Sequence, residues 1–329
     1  TIPKRGIKNI IMKKNITKKA VAKFSSNGNG VHTATEKRLE VLKTYKIYVG
    51  GQFPRTESGR YYIATNSKGD KLANMCLCSR KDFRDAVVSA RGAFGGWSAR
   101  AAFNRGQILY RIAEMLEGRK AQFIDELIKQ DSTPAQAEAE VNLAIDRFIY
   151  YSGWCDKFQQ VFSSVNPVAS SHFNFSAPEP TGVVAAIAPQ NSSLIGLVSV
   201  VAPIIAGGNS CIVLASSSKP LCAVTFAEVL NSSDLPGGVV NILTGKASEL
   251  LPFFADHMDV NATVYCEKDE ANQKLIKEKS ALNVKRIVTY DKVDWEGNAG
   301  QSPYFIMDFQ EIKTTWHPIE NIGGAKAGY

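Results

Sequence analysis

Between Glu179 and Lys219 the chain carries no charged residue. A segment that long without charge is shielded from water, either inside a core or inside a membrane. Its longest apolar run, Leu194–Ala206, is broken by Gly196, Ser199 and Pro203 and falls short of the about 18 residues a spanning helix needs. That leaves a buried helix and no membrane span. Immediately before it, "GVVAAIA" is small and β-branched, and "PQNSS" is a polar turn. A buried strand, a turn and a buried helix form the opening unit of a parallel sheet covered on both faces. The alternation continues, with strands expected at 183–188, 210–214, 238–243, 262–265 and 285–289 and helices near 194–206, 220–230, 247–256 and 270–280. These predict an α/β fold with a doubly wound parallel sheet, whose ligand site lies beyond the C-terminal strand ends.

Upstream the periodicity differs. "YKIYVGGQF" (45–53) reads as a strand, a Gly-Gly turn and a second strand, and "RYYIATN" (60–66) as another strand. From Arg80 the period is helical: Ile108, Leu109, Ile112, Met115 and Leu116 mark one amphipathic helix, and Phe123, Ile124, Leu127 and Ile128 the next. Pro134 opens a third, at a position where its missing N–H costs nothing, and Phe148, Tyr150, Tyr151 and Trp154 near its end read as core. After Tyr290 no further strand–helix repeat is legible. The chain thus divides into a leader (1–43), a nucleotide-fold domain (44–290) and a short divergent tail (291–329).

Charge is concentrated at one end. Residues 1–23 hold eight Lys or Arg and no acid, which leaves 31 basic against 31 acidic residues in the remainder. A neutral body offers no basic face to nucleic acid. The tail admits three readings: an arm for an anionic surface or nucleic acid, an organelle transit peptide, or a solvated, disordered leader. The leader requires the fewest assumptions, and with no apolar signal core behind it a cytoplasmic site is expected. The six cysteines are scattered, and Cys76-Leu-Cys78 lacks the spacing of a zinc knuckle. Buried, reduced thiols and no metal are therefore expected.

Several stretches taken in order resemble the aldehyde dehydrogenase superfamily over residues 45–290. "KIYVGGQFPRTESGRYY" is similar to its opening strands, and "FNRGQILYRIAEMLEGRKAQFIDEL" to its helix pair. "EPTGVVAAIAP" followed by Asn191 and Ser192 is similar to its first nucleotide-fold strand and loop, and "LPGGVVNILTG" to its most recognisable motif. The ending "IKTTWHPI" (312–319) resembles a divergent branch found beside, or fused to, a second aldehyde dehydrogenase. The resemblance implies a Rossmann-like fold, NAD or NADP as cofactor, and oxidation of an aldehyde. That route needs a cysteine thiolate, an oxyanion hole, a hydride acceptor and a carboxylate base.

Carried over by register, the oxyanion-hole asparagine is Asn191, and the cofactor would pass Ala188, Pro189 and Gln190 at the strand end. The ribose-binding Lys and Glu of the family fall on Leu214 and Ser217, and its two diphosphate glycines on Glu267 and Asn272. A carboxylate at Glu267 repels phosphate, and its Cβ crowds the backbone. Tyr290 stands where the base glutamate belongs, with Asp291 beside it, and a phenol with a pKa near 10 activates water poorly at neutral pH. Cys266 sits at a strand end and reads as a buried thiol, and His317 as a structural residue beside Trp316 and Pro318. No cysteine follows Tyr290, so the family's nucleophile is missing. The resemblance therefore points to a pseudoenzyme without a cofactor. Its partner is expected to be an active aldehyde dehydrogenase chain or further copies in an oligomer, reached through apolar surface left bare where the catalytic domain is missing. The rival expectation is an NAD(P)-dependent dehydrogenase completed by another chain or by a longer parent protein.

Overall fold

The computed structural model describes residues 41–319. The basic leader, apart from Val41–Lys43, lies outside the described residues, so neither an anion-binding arm nor a transit peptide is placed by it. The elements run β1 (Tyr61–Thr65), β2 (Lys71–Cys76), α1 (Arg80–Ser98), α2 (Ala102–Gly118), α3 (Lys120–Lys129), α4 (Pro134–Trp154), α5 (Phe158–Phe162), β3 (Ser164–Asn166), β4 (His172–Pro180) and β5 (Val183–Ile187). They continue with α6 (Ile195–Ala206), β6 (Ser210–Leu214), α7 (Leu221–Asn231), β7 (Val240–Leu243), α8 (Ala247–Asp256), β8 (Ala262–Tyr265), α9 (Glu270–Ala281), β9 (Arg286–Thr289), α10 (Tyr304–Met307) and β10 (Gln310–Pro318). Among the described residues no helix is long and apolar enough to cross a membrane.

The five central strands are wholly parallel, in the order β7-β6-β5-β8-β9. Every residue of β5, β6, β7 and β8 is buried, which accounts for their lack of charge. Two apolar layers sandwich the sheet. One joins α2, α3, α4, α6 and α7, with Phe148 and Tyr151 buried in it and Tyr150 and Trp154 packed against it. The other joins α1, α8 and α9. All six cysteines are free and buried. Arg147 of α4 is also fully buried, yet among the described residues its guanidinium meets no carboxylate. It donates to Ser199 Oγ (3.0 Å), to the Trp295 carbonyl (3.1 Å) and to the Gly300 carbonyl, so it clamps the segment after β9 onto α4 and α6.

Residues 45–53 turn back at Gly50-Gly51 as expected, although their arms are too short to count as strands: Val49 and Gln52 exchange backbone hydrogen bonds of 3.0 and 3.1 Å, and the Ile47 N–H donates to the Pro54 carbonyl. The segment also docks on the edge of β7. Tyr48 and Ile242 exchange backbone hydrogen bonds of 3.0 and 2.8 Å, and the Gly50 N–H donates to Asn241 Oδ1. The two Gly-Gly pairs interlock here. A Cβ on Gly237 would stand 2.6 Å from the Gly50 carbonyl oxygen, and Gly50 and Gly51 turn at φ of 65° and 79°.

Residues 291–319 continue no strand–helix repeat but still build structure. β10 pairs antiparallel with β4 along its whole length, and β3 covers the other edge of β4, giving a three-stranded sheet. Val165, Phe173 and Phe175 share one face of it, with Val165 66% and Phe173 46% exposed. His317 lies on that exposed sheet opposite Phe173, not in a structural niche; it is His172 that meets the Trp316 ring edge-on at 5.8 Å.

Candidate functional site

In a doubly wound sheet the ligand crevice lies where connections leave in opposite directions, here between the C-terminal ends of β5 and β8. The structure brings Ala188, Pro189, Gln190, Leu214, Ser217 and Glu267 to that end of the sheet. It also shows how their polar atoms are used. Glu267 spans the crevice: its Oε1 accepts from the Gln190 N–H at 2.6 Å. Gln190 in turn ties β5 to the loop after β6. Its Oε1 accepts from the N–H and hydroxyl of Ser217, at 2.8 and 3.0 Å, and its carbonyl accepts from the Ser216 and Ser218 hydroxyls. The Gln190 amide donates back to the Ala188 carbonyl. Leu214 is 1% exposed and belongs to the core beneath, so it presents no surface at all.

Two helix N-termini point toward such a crevice in this topology, and each offers backbone N–H groups to an anion. Both are taken by the protein's own carboxylates. At α6, Glu140 Oε1 accepts from the Leu194 and Ile195 N–H groups, each at 3.0 Å, and the Ser192 hydroxyl accepts from the Gly196 N–H. At α9, Asp269 accepts from the Asn272 N–H at 3.0 Å, and Glu270 adds a second charge in the first turn. The Asn272 amide is itself engaged with Tyr265 Oη and Asp269. Glu140 carries no local sequence signal. It sits on α4, 54 residues before Leu194, in a stretch that reads as an ordinary amphipathic helix.

Asn191 stands apart from this network. Its side chain is exposed at the mouth of a cleft of about 390 Å³, shared with Gln136, Glu140, Ser192, Lys219 and Glu296. No cysteine lines that cleft. Cys266 is 7% exposed within the apolar layer, and burial drives its thiol pKa far above the ordinary value. A protonated, inaccessible thiol is no nucleophile. Tyr290 donates its hydroxyl to Asp308 Oδ2 at 2.6 Å within a cluster of Trp295 and Phe305. Burial, reinforced by the Asp308 charge, raises the phenol well beyond its usual range, so it stays protonated. Asp308 is likewise raised by burial, against the hydrogen bond from Tyr290.

Residues 54–308 match the model of the aldehyde dehydrogenase family. Among curated relatives, mouse (Mus musculus) cytosolic 10-formyltetrahydrofolate dehydrogenase is 30% identical over 261 residues, 76% of this chain and 28% of that protein. Human mitochondrial 10-formyltetrahydrofolate dehydrogenase is 27% identical over 255 residues, again 76% of this chain and 28% of that protein. Among solved structures, PnpE from Pseudomonas sp. WBC-3 superposes with a TM-score of 0.71 at 26% identity, covering 76% of this chain and 51% of that one. The chain thus spans under a third of these curated relatives and about half of the solved structure. It belongs to the aldehyde dehydrogenase family.

Proposed function

We propose that this family member is catalytically silent, binds no dinucleotide, and serves as a structural or regulatory partner of an active aldehyde dehydrogenase chain or of further copies of itself. One observation carries the reading: the phosphate-binding elements around the β5–β8 crevice are satisfied internally, by Glu140 at α6, Asp269 at α9 and Glu267 between the strands. A dinucleotide entering there would have to displace three carboxylates while bringing negative charge of its own. The residues present do not fit the cofactor. The buried Cys266 and the neutral Tyr290 support the same conclusion for the chemistry. The bare apolar face of Val165 and Phe173 supports a partner. A cytoplasmic site goes with this proposal, and cell fractionation tests it.

PnpE has been solved in complex with nicotinamide adenine dinucleotide, so that ligand is the one to try. Titrating NAD and NADP into the protein, followed by tryptophan fluorescence and calorimetry, is expected to give no binding at millimolar cofactor. Micromolar binding would overturn the proposal and favour the rival, an NAD(P)-dependent dehydrogenase completed by another chain or a longer parent protein. Light scattering on the purified protein then separates self-assembly from dependence on a different chain.

A further inference from the structure

A second cleft, of about 650 Å³, shares no residue with the crevice or with the Asn191 cleft. It opens between the start of α1, which supplies Arg80, Lys81 and Arg84, and the end of α8 with the residues just after it, which supply Phe253, His257 and Met258. Its floor is aromatic. Phe83 stacks on Phe254 with centroids 4.2 Å apart, His257 meets Phe83 edge-on at 5.8 Å, and the Arg80 guanidinium lies 5.3 Å over the Phe253 ring. At the rim Met258 is 81% exposed, an adaptable thioether beside these rings.

The cations around the floor are not equivalent. Lys81 is paired with Glu57 at 2.6 Å and Arg84 with Asp85 at 2.7 Å, whereas among the described residues no carboxylate pairs with Arg80. His257 Nδ1 accepts from the Asp259 N–H, which places the proton of the neutral ring on Nε2 as a donor. The one acid in the lining, Asp256, faces Lys279 at 3.7 Å. The carbonyls that end α8 would repel an anion, but Lys285 Nζ already sits on those of Phe254, Ala255 and His257. The positive end of α1 is offset by the Asp82 carboxylate in its first turn, which accepts from the Ser79 and Glu57 N–H groups at 2.7 and 2.9 Å. What remains is an apolar, ring-lined floor under one unneutralised guanidinium.

We propose that this cleft binds a small planar aromatic anion, an aryl carboxylate or aryl phosphate, with its ring against Phe253 and Met258 and its charge on Arg80. The inference is independent of the state of the crevice. Flat apolar surfaces hold the ring, and the charge-assisted bond to Arg80 fixes its orientation.

The test uses the full chain with methyl-labelled methionine, of which there are five, assigning Met258 through Met258→Leu. The probes are 2-naphthoate and 2-naphthyl phosphate, with uncharged 2-naphthylmethanol as control. At least one anion is expected to shift the Met258 methyl saturably, and Arg80→Met should weaken it roughly tenfold, as loss of a charge-assisted bond would. Naphthylmethanol should bind more weakly and ignore the substitution. Arg84→Met, which removes a cation already paired, should matter less. Binding by only one of the two anions identifies the acid group and supports the proposal. It is overturned if neither anion moves the Met258 methyl, or if the Arg80 variant, shown folded by circular dichroism, binds as tightly as the parent.

Discussion

Replacing Glu140 by alanine strips the N-terminus of α6 of its carboxylate. In the native protein that group accepts from two backbone N–H groups at 3.0 Å and lies near the Ser192 hydroxyl. Losing a side-chain cap of this kind costs about 0.5–2 kcal/mol. Losing negative charge at the positive end of a helix removes about 0.3–1 kcal/mol more. The Ser192 hydroxyl stays on the Gly196 N–H, so the helix keeps part of its cap. The expected loss is thus about 1–3 kcal/mol, a fall in Tm of several degrees at roughly 2–4 °C per kcal/mol for a domain of this size. Thermal unfolding would be followed for both proteins in chloride and in phosphate. With its carboxylate gone, the α6 terminus becomes the anion site that Glu140 had filled. Phosphate should therefore recover part of the loss in Glu140→Ala and leave the parent unchanged, with Glu140→Gln falling between. Unfolding of the variant at the parental temperature, or an equal phosphate effect on both proteins, would refute the reasoning.

Three further perturbations test the frame around the crevice. Arg147→Met should cost about 2–6 kcal/mol in urea unfolding, since the Trp295 and Gly300 carbonyls lose their donor and a buried unmade bond costs about 1–3 kcal/mol each; amide exchange should quicken first between residues 295 and 302. Gly237→Ala should cost about 1–3 kcal/mol as an overpacked contact, because its Cβ would meet the Gly50 carbonyl at 2.6 Å; limited proteolysis should then cut near residues 45–53, and an unchanged digest would count against the interlocked turns. Burial raises the Glu126 carboxyl above its ordinary pKa, against hydrogen bonds from Thr225 and Tyr45. A raised carboxyl adds stability that is complete below the unfolded value, about 4.3, and is lost as pH rises through the folded value. Glu126→Gln, which cannot ionise, should therefore gain stability relative to the parent as pH climbs above about 4.3, and the gain should then level off; a difference independent of pH would refute the assignment.

What the sequence could disclose follows from how local each signal is. The strands at 210–214 and 262–265 appear as expected, because a fully buried parallel strand has to be short, apolar and bounded by turns. The third helix starts at Pro134 because Thr133 and Gln136 form a capping box, a feature written into adjacent residues. By contrast, 45–53 discloses its Gly-Gly turn but not where the turn goes: its docking on the distant β7 edge, with Asn241 as acceptor for Gly50, emerges only from the fold. Register to a family places Glu267 at the crevice, yet its partner atom on Gln190 emerges only from the fold. Glu140 and Asp269 look like ordinary helix charges until the helices they cap are positioned.

The pairing of β10 with β4 has a further consequence, for the order in which the protein takes shape during synthesis. Ser176 and Thr314, which share a hydrogen bond across that pair, are 138 residues apart, and the whole parallel sheet is translated between them. Contacts of such separation form late, once the entropy of closing the intervening loop has been met. The short β3–β4 ribbon must therefore wait, one edge of β4 bare, until β10 has left the ribosome. An unpaired edge beside aromatic side chains is where nascent chains stick to one another. Truncations that remove β10 should accordingly show themselves less as lost stability than as aggregation during expression.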